Sequence, residues 1–427
     1  MIKLFFKMSG ALKYVFSYIA TLTICALSFS AYAQDSDSKD MLETLVGRNI
    51  LKEAQARDLS KLIASVNADA TKSNKLTLQL RMQAMYEYLE TNSHTQEQTN
   101  MFDIRRCHFV IRSESEGGWG LEANVDPSSA NFLRATYIYK KIDTNFANWR
   151  IDFGYAKPKF IYEQNLSGFN QYATERSIVN NFWCSNFNQK GCIGLGGFHT
   201  GIFTTAKISD IEGLELTTAI TSPTSNDAFA EKSPDSIPAL WVGIDYTTQL
   251  YGLKTTFALN GAYGAQSNHQ SFDIPTQSAS IFQANPSIHI SSDNFRANID
   301  FVFANIKKGK FGNKTATPFG LISEAEYFIP AQNYGKIAPV IRYAYLDSDG
   351  RGFSADNIER HLKKDSTNTT YNKAHSIYFG INWYILGNDL KIQIGYEHLF
   401  YSGSPSNISE NHKLHENAIR TVLQTQF

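Results

Sequence analysis

From about Leu76 to the C-terminus the chain carries roughly sixteen short runs in which apolar and polar side chains alternate. Their approximate centres are Leu80, Cys107, Ala123, Thr136, Phe153, Ile202, Thr218, Gly243, Leu259, Ser287, Ile299, Glu324, Ile341, Gly380, Ile394 and Val422. A period of two is the signature of a strand with two different environments on its faces. The connections between runs alternate in length. Short ones include Glu116-Gly117-Gly118, Ser209–Gly213, Leu250-Tyr251-Gly252, Asp293-Asn294 and Gly387-Asn388-Asp389, while Thr91–Asn100, 161–196, 223–238, 266–278, 347–373 and 402–416 are longer. A barrel built from hairpins that cross a bilayer has tight turns at one rim and long loops at the other. A soluble sandwich has no reason to alternate so regularly. The last run, Ile419 to Phe427, points Ile419, Thr421, Leu423, Thr425 and Phe427 one way, and Arg420, Val422, Gln424 and Gln426 the other.

The N-terminus names a compartment. Lys3, Lys7 and Lys13 precede a mostly apolar stretch from Val15 to Phe29, and Ala31-Tyr32-Ala33 forms a small-x-small cleavage site. Residues 1–33 therefore read as a secretory signal peptide. No later segment is apolar for long enough to span a membrane as a helix, so the mature chain is secreted, periplasmic or inserted as strands. Residues 34–72 show apolar positions at helical spacing, among them Leu42, Leu45, Val46, Ile50, Leu59, Leu62 and Ile63. This short N-terminal helical segment has two readings, a periplasmic appendage or a mobile leader. The expected fold is all-β: a transmembrane antiparallel β-barrel of about sixteen strands over 73–427.

Composition agrees with that fold and excludes others. Charged residues make up 19% and aromatics 13% of the chain, with 22 Tyr and 29 Phe, which suits an apolar outer face bounded by aromatic girdles. Removing the three lysines of the signal leaves 37 basic against 40 acidic residues. Such a balance offers no field for nucleic acid, and any ion selectivity must come from local placement. Neither Cys nor His shows the spacing of a metal site, and no cofactor is implied. Cys184 and Cys192 lie close together in a Gly- and Asn-rich loop; in an exported protein they are candidates for a disulfide, with two thiols as the alternative.

Strand parity predicts which side chains face the lumen. On the second strand Arg106, His108 and Arg112 face inward and Cys107, Phe109 and Ile111 outward. On the fourth, Arg134 and Lys140 face inward and Leu133, Ala135, Tyr137 and Tyr139 outward. On the fifth, Arg150, Asp152 and Gly154 face inward and Trp149, Ile151, Phe153 and Tyr155 outward. Later, Phe295, Ala297, Ile299, Phe301 and Phe303 face lipid, with Arg296, Asn298 and Asp300 inward. A charged interior in so wide a barrel implies a water-filled channel. Neighbouring inward charges also pair with one another, so each basic residue is either a solute contact or simply part of the wall's electrostatics.

Several short stretches, in order along the chain, resemble the phosphate-selective porin O/P family. They are Phe102-Asp103-Ile104-Arg105-Arg106, Ile151 to Phe160 with its Lys157-Pro158-Lys159, Thr174-Glu175-Arg176-Ser177, Arg342-Tyr343-Ala344-Tyr345-Leu346-Asp347 and Phe379-Gly380-Ile381-Asn382-Trp383-Tyr384. The resemblance implies a sixteen-stranded homotrimeric outer-membrane porin whose third outer loop, here about 161–196, folds into the lumen. It would bring Arg176 and Lys190 to the constriction, with Lys157 and Lys159 at its root. Tyr155 stands where the family has Gln after its Gly. Partial dehydration at a constriction strengthens attraction between an anion and fixed cations. In the wider class of such barrels a terminal aromatic, here Phe427, is read by the barrel-assembly machinery.

Other motifs carry less. Asp347-Ser348-Asp349-Gly350 lacks the later acidic ligand of a calcium loop. No Ser/His/Asp arrangement suggests catalysis, so the chain reads as a non-enzyme. The functional expectation is passive diffusion of small hydrophilic solutes, with anions such as phosphate among them. Its channel-lining candidates are Arg106, Arg112, Arg134, Lys140, Arg150, Lys157, Lys159, Arg176 and Lys190. The alternative is an envelope tethering or adhesion barrel with a plugged lumen.

Overall fold

The computed structural model describes residues 75–93, 96–128, 133–184, 192–193, 195–222, 237–266, 279–358, 369–405 and 413–427. The signal peptide and helical leader expected at 1–33 and 34–72 lie outside them. Residues 77–112 and 117–426 form one compact unit, the barrel. Of the second unit only Lys75, Leu76, Ser113–Glu116 and Phe427 are described.

Sixteen strands cross the barrel. In chain order they are β1 (Lys75–Ser93), β2 (Gln96–Glu114), β3 (Trp119–Val125), β4 (Leu133–Asp143), β5 (Ala147–Ala156), β6 (His199–Ile208), β7 (Leu214–Thr221) and β8 (Ile237–Leu250). They continue as β9 (Leu253–Gln266), β10 (Ala279–Ser291), β11 (Phe295–Lys310), β12 (Phe319–Tyr327), β13 (Lys336–Asp347), β14 (Lys373–Tyr384), β15 (Leu390–Ser402) and β16 (Lys413–Gln426). Two short pieces, Lys314–Ala316 and Ile329–Pro330, extend the pairing of β11 and β13 at the rims. Each strand pairs antiparallel with its sequence neighbours, and β1 pairs with β16 from Arg81↔Gln426 to Thr91↔Glu416. That last pairing closes the sheet, so among the described residues no edge strand is left with unpaired backbone groups.

Every strand centre read from the sequence falls inside one of these strands, and the short turns fall between the expected pairs. The Tyr251-Gly252 turn shows why they are tight. Both residues take positive φ, 52° and 77°, the geometry of a two-residue hairpin that matches strand twist. One connection differs: β1 runs to Ser93 and β2 begins at Gln96, so most of Thr91–Asn100 is strand, not loop.

Facing follows parity on most strands. On β11, Ile299, Phe301 and Phe303 are exposed on the outer face, while Asn298, Asp300, Val302 and Ala304 are buried inward. On β16, Ile419 and Leu423 are exposed and Arg420, Val422 and Gln424 buried. Strand β4 overturns the expectation. Its register against β3 shifts between Asn124 and Val125, where Ala135 and then Leu133 are the partners and Arg134 is the extra residue. That single insertion reverses the parity downstream. Tyr137 and Tyr139 share a face with Glu122 and Asp152 inside the barrel, while Ile138 is exposed opposite Phe153 on the outer face. Lys140 also points outward, over the Trp119 ring at 5.1 Å. Tyr155, expected against lipid, is buried and stacked on Phe198 at 5.4 Å.

Candidate functional site

The connection between β5 and β6 turns into the lumen. It carries two short helices, α1 (Tyr162–Asn165) and α2 (Ile178–Cys184). Phe160, Ile161, Ile178, Val179, Phe182, Trp183, Ile193 and Leu195 are all buried in one cluster with the wall residues Val302, Ile306, Ile322, Ala344 and Leu346. The inner face of β11–β13 is thus apolar over part of its height, which gives the loop a dry seat. Gly320 is needed there: a Cβ at its position would lie 2.6 Å from Val179 Cγ1 and 3.0 Å from Trp183 Cζ3. A helix in the β13–β14 connection, α3 (Ala355–Ile358), lies against α2, with Asn181 donating to the Ile358 carbonyl at 2.9 Å and Phe353 packed 6.0 Å from Phe182.

Below this seat the loop is held by charge and amide groups. Backbone carbonyls in a dry interior require donors. The wall supplies them: Gln83 to Gly168 at 3.1 Å, Gln424 to Phe169 at 3.1 Å, Lys391 to Phe169 and Gln171 at 3.1 and 3.2 Å, Gln393 to Tyr172 at 3.0 Å, and Asn382 to Tyr172 at 2.8 Å. Arg342 on β13 donates to Glu163 Oε1 at 3.0 Å, to the Glu175 carbonyl at 2.7 Å and to Glu397 Oε1 at 2.9 Å. Arg420 on β16 joins the same network through Glu87 and through Glu397 Oε2 at 2.8 Å. Arg105 reaches Glu175 Oε2 at 2.7 Å. Glu163 is also fastened within the loop, accepting from the Ser177 N–H at 2.8 Å.

The wall from Arg112 at the far end of β2 round to β8 is different. Arg112 pairs with Glu122 at 2.6 Å, Arg150 with Asp152 at 2.8 Å, and Lys159 with Glu215 and Asp245 at 2.7 and 2.6 Å. Arg150 also lies 4.3 Å over the Tyr139 ring, and Lys141 5.7 Å from the same ring. The side chains of Arg112 and Arg150 remain 42% and 36% exposed, against 0% for Arg342 and 1% for Arg420. Water thus reaches these two cations and not Arg342 or Arg420.

The residues singled out in the sequence therefore divide. Arg112, Arg150 and Lys159 lie on the more exposed wall. Burial opposes the charge of Lys159, but its two carboxylate partners outweigh that and raise its pKa. Arg134 is held by Asp126 at 3.1 Å. Arg106 is buried beneath the loop, hydrogen-bonded to Gln83 and packed against Gly168, where a Cβ would come within 2.6 Å of its Nε. Lys157 and Arg176 are inside the loop and turned to its carbonyls, Lys157 to Gln164 at 2.9 Å and Arg176 to Leu166 at 3.4 Å. Desolvation, then the neighbouring Arg176, push the Lys157 pKa well below that of an ordinary lysine. Lys140 is outside the lumen, and Lys190 is outside the described residues. Cys184 and Cys192, the candidate disulfide pair, are both buried in the same apolar cluster; Cys184 Sγ sits 2.3 Å from where a Gly196 Cβ would be, so it packs into the loop's own core. Sequence reasoning missed the anchors Glu163, Arg342, Glu397 and Arg420 as one network, because their partners lie on different strands. It also missed the dry seat, although Val302, Ala304 and Ile306 stand at inward parity.

A closed sixteen-stranded antiparallel barrel with a connection folded into its lumen is the architecture of an outer-membrane porin. Residues 287–427 match the family model of phosphate-selective porin O and P, which ties the C-terminal third of the chain to that family. Among solved structures the chain is similar to an anion-selective porin from Comamonas acidovorans, at 10% identity and TM-score 0.56, over 83% of this chain and 100% of that one. It is also similar to OprB of Pseudomonas putida, at 9% identity and TM-score 0.55, over 84% and 96% of the two chains. The outer membrane channel DcaP of Acinetobacter baumannii aligns at 11% identity and TM-score 0.51, over 83% and 97%. At these identities the likeness is one of fold. No curated protein matches the chain.

Proposed function

We propose that this protein is an outer-membrane porin through which small hydrophilic solutes diffuse passively, with a preference for anions such as phosphate. The observation that carries the reading is the unequal lumen. The inward loop is fastened to one wall by buried groups, and half-exposed Arg112 and Arg150 remain on the other. An anion passing between loop and wall meets cations whose attraction is strengthened by partial dehydration. The acidic partners Glu122, Asp152, Glu215 and Asp245 moderate that field, which favours a mild selectivity over tight binding. The mechanism is size exclusion with electrostatic filtering and involves no bond chemistry.

Association into trimers and delivery to the barrel-assembly machinery through Phe427 are part of the same proposal; both rest on the family resemblance. The test is planar-bilayer recording from purified, folded protein. Open-channel current with a reversal potential of anion sign in a salt gradient supports the reading, and a cation preference overturns the selectivity. The dense packing of the loop favours one rival, a plugged barrel used as an envelope tether. Absence of current from folded protein would select that rival.

A further inference from the structure

The end of β11 and its turn toward β12 read Lys307-Lys308-Gly309-Lys310-Phe311-Gly312-Asn313-Lys314. This is four lysines and no acid in eight residues, a density that no other stretch of the chain reaches. The local structure displays them. The pairing of β11 shifts register between Ile306 and Lys310. In that bulge Lys308 takes φ 54°, a conformation rare outside glycine and asparagine, and Lys307 and Lys308 are both exposed. Gly309 turns into the wall, where a Cβ would lie 2.8 Å from Ile306 Cβ and 2.9 Å from Ala316 Cβ. The chain reverses through Phe311–Asn313, and Lys314 is exposed on the returning side. Lys310 is held by Asp349 at 2.9 Å, and Asp347, opposite Phe319, is taken by Lys373 at 3.3 Å. Among the described residues Lys307, Lys308 and Lys314 form no ion pair.

A chain of outward-facing rings runs below these lysines, across β11–β16. Phe301 lies 6.4 Å from Phe319, Phe319 6.3 Å from Tyr345, and Tyr345 4.7 Å from His375. His375 is 6.2 Å from Phe400, and Phe400 4.8 Å from His415. All but Phe301 stand within three residues of a strand end, at the rim that carries the long loops. Aromatic girdles of this kind mark the bilayer–water interface. Phe303, exposed and paired directly with Phe319, belongs to the girdle, and Lys307 is the second outward position beyond it. The lysines therefore stand where lipid headgroups begin. Behind them Ile306 and Ala316 are buried in the dry seat of the inward loop, so the hairpin backs onto packed side chains and not onto open lumen.

We propose that Lys307, Lys308 and Lys314 form a docking site for the phosphate groups of an outer-leaflet lipid. The site rests on reading the barrel as an outer-membrane porin, though not on its conducting anions. Ammonium–phosphate contacts are charge-assisted hydrogen bonds. Three lysines without carboxylate partners make them without first breaking an ion pair. Their charge comes from both sides of the hairpin, which suits a headgroup with more than one phosphate. The apolar part of the lipid lies on the girdle below, at Phe303 and Phe319. Docking steadies the outer edge of the wall that seats the inward loop, because Ile306 and Ala316 tie the hairpin to that seat.

The test uses full-length folded protein in neutral detergent, titrated with diphosphoryl lipid A and read by native mass spectrometry, which counts bound lipids. Wild type should hold this lipid at least roughly tenfold more tightly than phosphatidylcholine. Lys307→Gln, Lys308→Gln and Lys314→Gln together should weaken it by about a hundredfold, roughly fivefold per lysine. The corresponding triple Arg variant keeps the charge and should bind as wild type does. Gln at Lys207, Lys254 and Lys336, exposed at the short-turn rim, should leave binding unchanged. Inorganic phosphate at the same phosphate concentration should not displace the lipid. The proposal is overturned by equal binding of both lipids, by undiminished binding to the folded Gln triple, or by an equal loss in the short-turn triple. Displacement by inorganic phosphate also overturns it, and would make the hairpin a trap for free anions. Open-channel current is recorded separately from the same preparations. Lipid preference lost with current intact counts against the site alone; current absent with the preference intact counts against the channel alone.

Discussion

The two walls of the lumen use the same residue types for opposite ends. Around β13–β16, arginine and glutamate are sealed from water and share partners: Glu397 serves both Arg342 and Arg420, and Arg342 serves both Glu397 and Glu163. Around β2–β8, Arg112–Glu122 and Arg150–Asp152 are single pairs that water still reaches. Breaking a buried pair leaves an uncompensated charge and costs about 3–5 kcal/mol. An exposed pair is worth about 0–1 kcal/mol. The first wall therefore holds a loop in place. The second contributes little to stability and, in the proposed function, sets the field that a solute meets.

This contrast can be broken by experiment, and the largest effect is expected at Arg342. Arg342→Met removes a buried cation that joins Glu163 of the loop to Glu397 of the wall, and should destabilise the barrel by about 3–5 kcal/mol in urea unfolding. A loss below about 1 kcal/mol would mean that the two walls do not differ as described. Next is the dry seat. Gly320→Val places atoms where Val179 and Trp183 pack, and should cost about 1–3 kcal/mol while altering single-channel conductance, because α2 must shift.

Arg112→Glu combined with Arg150→Glu should do the reverse, changing stability by about 2 kcal/mol or less for the two pairs together. The reversal potential of the double variant in a KCl gradient should move toward cation preference; an unmoved value would place the filter elsewhere. Lys157→Met sharpens the contrast through pH. The folded state holds Lys157 at a depressed pKa, so below the ordinary lysine value the unfolded chain binds more protons. Stability should therefore rise with pH toward that value in wild type, and the slope should flatten in the variant, as read by urea midpoints at several alkaline pH values. The smallest effect is expected at Lys140. Lys140→Ala lies on the outer face beside Trp119 and should leave the reversal potential unchanged.

The fold was legible in this chain because strand, turn and parity are local signals. Runs such as Phe295–Phe303 alternate cleanly, and turns such as Tyr251-Gly252 announce themselves by residue type. Strand β4 defeated the same reasoning. Tyr137, Tyr139, Arg134 and Lys140 mix aromatic and basic residues on both parities, and one inserted residue at the β3–β4 register decided the facing. The site was legible only in part. The family resemblance implies the inward loop, and strand parity assigns Arg112 and Arg150 to the inner face. Arg106, Lys157 and Arg176 could not be told from pore-lining cations, since burial beneath Gly168 or among loop carbonyls has no local signature.

By itself, then, the sequence determined a sixteen-stranded transmembrane barrel, its hairpin order and the face of most side chains, because each of these follows from neighbours two or a few residues apart. Only the tertiary structure decided which charges are sealed and which meet water. Glu163, Arg342, Glu397 and Arg420 are brought together by pairing of strands distant in sequence and by a loop folded back among them. Whether an arginine anchors that loop or faces water depends on what covers it, a property of the closed barrel and of no single segment.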